Sequence, residues 1–159
     1  MMIKTFRFAL VLLCLFLSTA IAQAWQGKVV RVIDGDTVIV LNIDNQQTKI
    51  RLYGIDAPEK KQAFGTKAKQ FLSSLIFGKV VDVVDLGNDM YGRTVGKIYL
   101  DSQYINLRMV ECGYSWHYRR YAPKDSELSL AQDRARQQHL GLWADPTVVA
   151  PWNYRKKKK

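Results

Sequence analysis

Three β-rich runs open the body of this chain, at residues 28–33, 37–43 and 48–53. Asp34-Gly35-Asp36 separates the first two, and 44–47 (Asp-Asn-Gln-Gln) has the polar composition of a hairpin turn. The pattern then changes period. Between 64 and 77 the apolar residues Phe64, Ala68, Phe71, Leu72 and Leu75 follow helical spacing, and Gly78 suits the stop. Two further strands, 80–86 and 94–100, flank a turn rich in Gly, Asn and Asp. Asn106 is placed to cap a short helix closing at Gly113. Ser126 is placed to cap another, running to His139, with Leu128, Ala131 and Ala135 inward and Gly141 after it. Five strands with a helix after the third, followed by helices, predict an α+β molecule: a five-stranded barrel of the OB type plus three helices.

The N-terminus changes the domain boundaries. Lys4 and Arg7 form a basic n-region, 8–17 an apolar stretch, and Ala22-Gln23-Ala24 a small-residue cleavage site. The apolar stretch is shorter than the roughly 20 residues a membrane span needs. The expectation is a signal peptide at 1–24, a single domain at 25–150 and a basic tail at 151–159, in a product that is secreted or periplasmic. Removing the signal takes Cys14 with it, so Cys112 stands alone and no internal disulfide is available. The net charge is +10, of which the leader supplies two and 155–159 five, leaving only +3 on the body. A Lys-rich end attracts polyanions, whether nucleic acid or an anionic surface, and does not by itself define a function.

The candidate chemistry lies on three short motifs: Asp34-Gly35-Asp36-Thr37, then Arg51-Leu52-Tyr53-Gly54-Ile55-Asp56-Ala57-Pro58-Glu59, then Asp89-Met90-Tyr91-Gly92-Arg93. Asp36, Asp56 and Glu59 are the hard oxygen donors that suit calcium, a cation that accepts six to eight oxygens, waters included. A zinc site is not indicated, because His117 and His139 are the only histidines and stand far apart in sequence. Arg51 and Arg93 offer planar forks of donors to phosphate oxygens. Taken alone, Arg51 could equally be an ion-pair partner of Asp56 or Glu59, and Arg93 a solvated hairpin residue.

In order and internal spacing these motifs resemble the staphylococcal nuclease (thermonuclease) family over most of the chain after residue 24. The resemblance implies direct metal ligation by Asp36 and Asp56, with the carbonyl of Ala57, where the family commonly has Thr. It implies that Glu59 acts on a calcium-bound water as base or orienting group, and that Arg51 and Arg93 stabilise the charge building on phosphate. Tyr91 and Tyr121 match tyrosines that contact the nucleotide. A further family tyrosine falls on Arg119, and Met90 replaces a family lysine. A water nucleophile needs no ribose 2′-hydroxyl, so DNA and RNA are both expected substrates, single strands preferred, with 3′-phosphate products implied by the resemblance. The expected cofactor is Ca2+ and the expected state a monomer. The alternative is a non-catalytic secreted nucleic-acid-binding module on the same barrel.

Overall fold

The structure, a computed structural model, describes residues 23–157. Most of the expected leader, with Lys158 and Lys159, lies outside the described residues. Strand β1 (Gln23–Val32) pairs antiparallel with β2 (Thr37–Asn42), which pairs antiparallel with β3 (Gln47–Leu52). A two-residue strand β4 (Ile55–Asp56) follows, and then helix α1 (Gly65–Ile76). Strand β5 (Val80–Asn88) returns along β1 and turns into β6 (Thr94–Leu100). Parallel pairing of β3 with β6, with Arg51 opposite Val95, closes the five strands into a barrel. Register shifts in β1 between Val29 and Arg31, and in β5 between Asp85 and Asn88, supply the bends that closure requires.

Closure makes the alternation along each strand a division between inside and outside. Val38, Val40, Ile50, Leu52, Val81, Val83 and Ile98 fill the interior, and α1 caps it with Ala68, Leu72 and Ile76. Strand β1 begins several residues before the β-rich run: Gln23 to Lys28 are held as strand by pairing with Val80 to Asp85, a long-range effect. Beyond the barrel come β7 (Gln103–Tyr104), α2 (Ile105–Glu111), β8 (Trp116–His117), α3 (Ser126–Gln137) and α4 (Pro151–Lys156). Among the described residues there are thus four α-helices where three were expected. The extra one occupies most of the segment expected to be a basic tail. Pro151 sits in its first turn, the position at which a missing N–H is harmless.

Two expected caps are corrected. Asp125, not Ser126, caps α3, its carboxylate accepting from the Leu128 N–H at 3.1 Å. Asn106 lies inside α2 and is fully buried. Its Oδ1 accepts from the Ile98 N–H at 3.0 Å, and its Nδ2 donates to the carbonyls of Tyr53 (3.0 Å) and Gly96 (3.1 Å). The side chain stitches α2 to the end of β3 and to β6, a role that outranks a local cap. Asn106→Ala is therefore expected to lower unfolding stability by about 2–4 kcal/mol, because it leaves the buried Ile98 N–H without its acceptor and takes a donor from the carbonyls of Tyr53 and Gly96. Urea denaturation checks this, and a loss too small to resolve would contradict it.

Candidate active site

The turn before β2, the loop after β3, the β5–β6 hairpin and α4 open onto one cleft of about 1000 Å³. Asp36 is on its floor, 7% exposed. Its Oδ1 accepts from Thr37 Oγ1 at 2.9 Å and its Oδ2 from the Ala57 N–H at 2.7 Å. Gly35 makes that contact possible: a Cβ there would come within 2.7 Å of both Ala57 and Ala68, so any side chain would push the turn off its support. Asp56 is 2% exposed and is fixed by the pairing of β4 with β8, opposite Trp116. Gly65 lets the 59–65 loop fold back tightly, since a Cβ at that position would strike the Glu59 carbonyl.

Arg51 projects from β3 between the two aspartates. Its Nη2 lies 3.0 Å from Asp56 Oδ1 and 3.2 Å from Asp36 Oδ2, and Nη1 donates to the Leu52 carbonyl at 3.0 Å. A second guanidinium arrives from α4: Arg155 holds Asp56 Oδ2 at 2.8 Å, Asp56 Oδ1 at 3.2 Å and Glu59 Oε1 at 2.7 Å. Burial pushes the Asp56 carboxyl up and the charge of Asp36 adds to this, against the downward pull of Arg155 and Arg51. Asp34, whose Oδ1 accepts from the Asp36 N–H at 3.1 Å, stands at the edge of the cluster.

Arg93 lines the same cleft and is braced by Asp89, with Nε donating at 2.7 Å, and its guanidinium lies 5.5 Å from the centre of the Tyr91 ring. Asp89 also accepts from the N–H groups of Tyr91 and Arg93, which fixes the hairpin tip and with it the arginine. Tyr91 and Tyr121 line the cleft and are largely exposed. Tyr121 meets Tyr118 edge to face at 4.9 Å, and Tyr118 in turn stacks on Trp152 of α4 at 5.3 Å.

Eight of the nine residues singled out in the sequence line this cleft: Asp36, Arg51, Asp56, Ala57, Glu59, Tyr91, Arg93 and Tyr121. Arg119 is not among its lining residues; its guanidinium turns to α3 and donates to Ser129 Oγ at 3.0 Å. His117 is buried, with Nε2 bonded to the Ala122 carbonyl at 2.8 Å, so it is not available to the cleft. Cys112 is half-buried outside the site, and burial pushes its thiol up, away from nucleophile chemistry. Sequence reasoning passed over Arg155 and Asp34. Arg155 is hidden at the head of a lysine run, and its only local signal is the Pro-Trp that starts a helix just before it. Asp34 reads as the first residue of an Asp-Gly turn.

Asp34 yields a pH prediction. Burial, then the charge of Asp36, raise its carboxyl from 3.8 to about 6. An acid with a raised folded-state pKa binds its proton more tightly when folded, so its contribution to stability is present below 3.8 and lost as pH rises through about 6. In chelating buffer the denaturation midpoint of the protein is expected to fall across this interval, and that of Asp34→Asn to fall less. Parallel curves would contradict the assignment.

Residues 49–145 match the family model described as staphylococcal nuclease homologue. The chain belongs to the staphylococcal nuclease family. It is similar to a micrococcal nuclease of Shigella flexneri, 43% identical with 86% of this chain and 85% of that protein covered. It is also similar to an uncharacterized endonuclease of Haemophilus influenzae, 40% identical with 95% and 84% covered, and to one of Escherichia coli O157:H7, 44% identical with 83% and 86% covered. It is accordingly a staphylococcal-nuclease-type nuclease, a phosphodiester hydrolase, and the closed five-stranded barrel fits that family. Asp36 lies before the matched segment and Arg155 beyond it, yet the fold brings both to the same carboxylate cluster.

Proposed function

We propose that this chain is a secreted or periplasmic, calcium-dependent nuclease that hydrolyses DNA and RNA by attack of water on phosphorus, leaving 3′-phosphate ends. The observation that carries this reading is that Asp36, Asp56, Glu59, Arg51 and Arg93 all line one cleft, the three carboxylates being linked through Arg51 and Arg155. The donors suit a hard divalent cation. Asp36 and Asp56 are close enough for each charge to be felt by the other, and the linked cluster sets three carboxylates against two guanidiniums, with Asp34 as a fourth carboxylate beside it. Among the described residues no three His, Cys, Asp or Glu side chains gather closely enough to hold a metal ion by themselves, so the ion would draw its remaining oxygens from the Ala57 carbonyl and from water. The arrangement favours an open, partly hydrated ion over a structural metal.

Asp36 and Asp56, with the Ala57 carbonyl, would hold calcium. Bound there, the ion would offset charge on a phosphate oxygen and make water beside it more acidic. Glu59 is half exposed at the rim, placed to orient or deprotonate the attacking water. Arg51, 14% exposed, and Arg93 both line the cleft and would stabilise charge on the equatorial oxygens of the phosphorus centre. Tyr91 and Tyr121 present exposed faces to bases of an unpaired strand. The protein acts as a monomer, after removal of 1–24; the Lys-rich end adds salt-sensitive affinity.

Thermal unfolding in calcium, in magnesium and in chelator tests the cofactor. An ion that binds only the folded site stabilises it by roughly 2.7 kcal/mol at a hundred times Kd, so the melting temperature is expected to rise with calcium concentration and less with magnesium. A melting temperature indifferent to calcium would count against the site.

A further inference from the structure

We infer that Arg155 is an internal cation that competes with the divalent ion for Asp56 and Glu59, making α4 a strap across the metal site whose hold weakens when the ion binds. The inference rests on the calcium site proposed above. Its ground is how the carboxylate oxygens are shared. Arg51 takes Asp56 Oδ1 and Asp36 Oδ2; Arg155 also reaches Asp56 Oδ1, at 3.2 Å, but Asp56 Oδ2 and Glu59 Oε1 are held by Arg155 and not by Arg51. An ion that takes Asp56 Oδ2 must displace the Arg155 fork, while Arg51 can stay. The two cations are therefore alternatives for one oxygen, and binding of either disfavours the other to the same degree.

The strap has anchors of its own. Trp152 stacks on Tyr118 with planes 4° apart and meets Trp116 edge-on, and the Tyr154 hydroxyl donates to the Lys61 carbonyl at 3.1 Å. These contacts keep α4 docked beside the cleft and hold the local concentration of the guanidinium high. The Arg155 side chain is 42% exposed, so solvent can receive it on release. It is an adjustable counter-charge, unlike the more deeply set Arg51.

Calorimetric titration of the protein with calcium chloride alone, at mildly alkaline pH, measures the competition directly. Arg155→Gln is expected to bind calcium about tenfold more tightly, the low end of what removing a partly exposed charge from a carboxylate can do. Arg155→Lys, which keeps the charge and loses the fork, should fall between. Lys156→Gln, which removes an equal charge one residue along, should leave affinity nearly unchanged. Unchanged or weaker binding by Arg155→Gln, or equal tightening by Lys156→Gln, overturns the competition while leaving the calcium site standing. Failure of every protein to bind calcium overturns both. By reciprocity, amide exchange in 151–157 should quicken when calcium is added to the unmodified protein, and unaltered exchange would also overturn the strap.

Discussion

Glu59→Ala is expected to lower turnover on single-stranded DNA by about 10²–10⁴-fold, the range that general acid–base groups contribute, with binding of the strand little changed. Glu59 is on the loop after β4, not in the barrel core, and its one described ion pair, to Arg155, is half exposed. Losing such a pair costs little stability, so the variant should fold and melt close to the parent. That separation makes the measurement decisive for this residue. A collapse in kcat with intact binding and folding places Glu59 on the reaction coordinate. A loss of binding with kcat retained would make it a substrate or metal determinant only. Freed from Glu59, Arg155 can turn to Asp56 alone and compete harder with the ion there, so turnover is compared at saturating calcium.

Arg51→Lys is expected to reduce kcat by about 10²–10³-fold, the scale seen when a transition-state hydrogen-bond donor is removed. The charge is preserved and the geometry is not. Arg51 uses one end of its fork to anchor on the Leu52 carbonyl and the other to bridge Asp36 and Asp56. A single ammonium cannot reproduce the bridge and also meet a phosphate oxygen in a fixed direction. Binding of nucleic acid, which draws on Arg93, the exposed tyrosines and the basic C-terminal end, should weaken far less. Comparable losses in kcat and in affinity would mean that Arg51 contributes only to binding.

How far such residues were legible in the sequence follows from the range of the forces that place them. Asp36, Arg51 and Asp56 stand at or beside the ends of strands, and strands announce themselves through β-rich runs bounded by turn residues. The Asp-Gly-Asp turn and the Arg-to-Glu motif are short, so their spacing survives into the fold almost unchanged. The interior was legible for the same reason: Val38, Val40, Ile50, Leu52 and Ile98 lie in the expected strands and point into the barrel.

What escaped was placed by contacts distant in sequence. The first half of β1 is strand because β5 lies alongside it. Asn106 resembles a helix cap until the carbonyls of Tyr53 and Gly96 converge on it. Arg155 is 99 residues from Asp56 and looks like the start of a charge run; the docking of Trp152 on Tyr118 and Trp116, and of Tyr154 on Lys61, brings it to the site. Arg119 shows the opposite case. The resemblance sets it where the family has a tyrosine, but it follows β8 towards α3, where Ser129 takes its guanidinium.

The cleft is proposed to hold a calcium-dependent nuclease centre. Incubating the protein with single-stranded DNA and with RNA, in calcium or in chelator, beside the double variant Glu59→Ala/Arg93→Ala, tests it most directly. The expected result is cleavage of both polymers in calcium only, lost in the double variant. Binding of both polymers without cleavage in any divalent ion would contradict it, and would leave a nucleic-acid-binding barrel that retains the residues of a nuclease without its reaction.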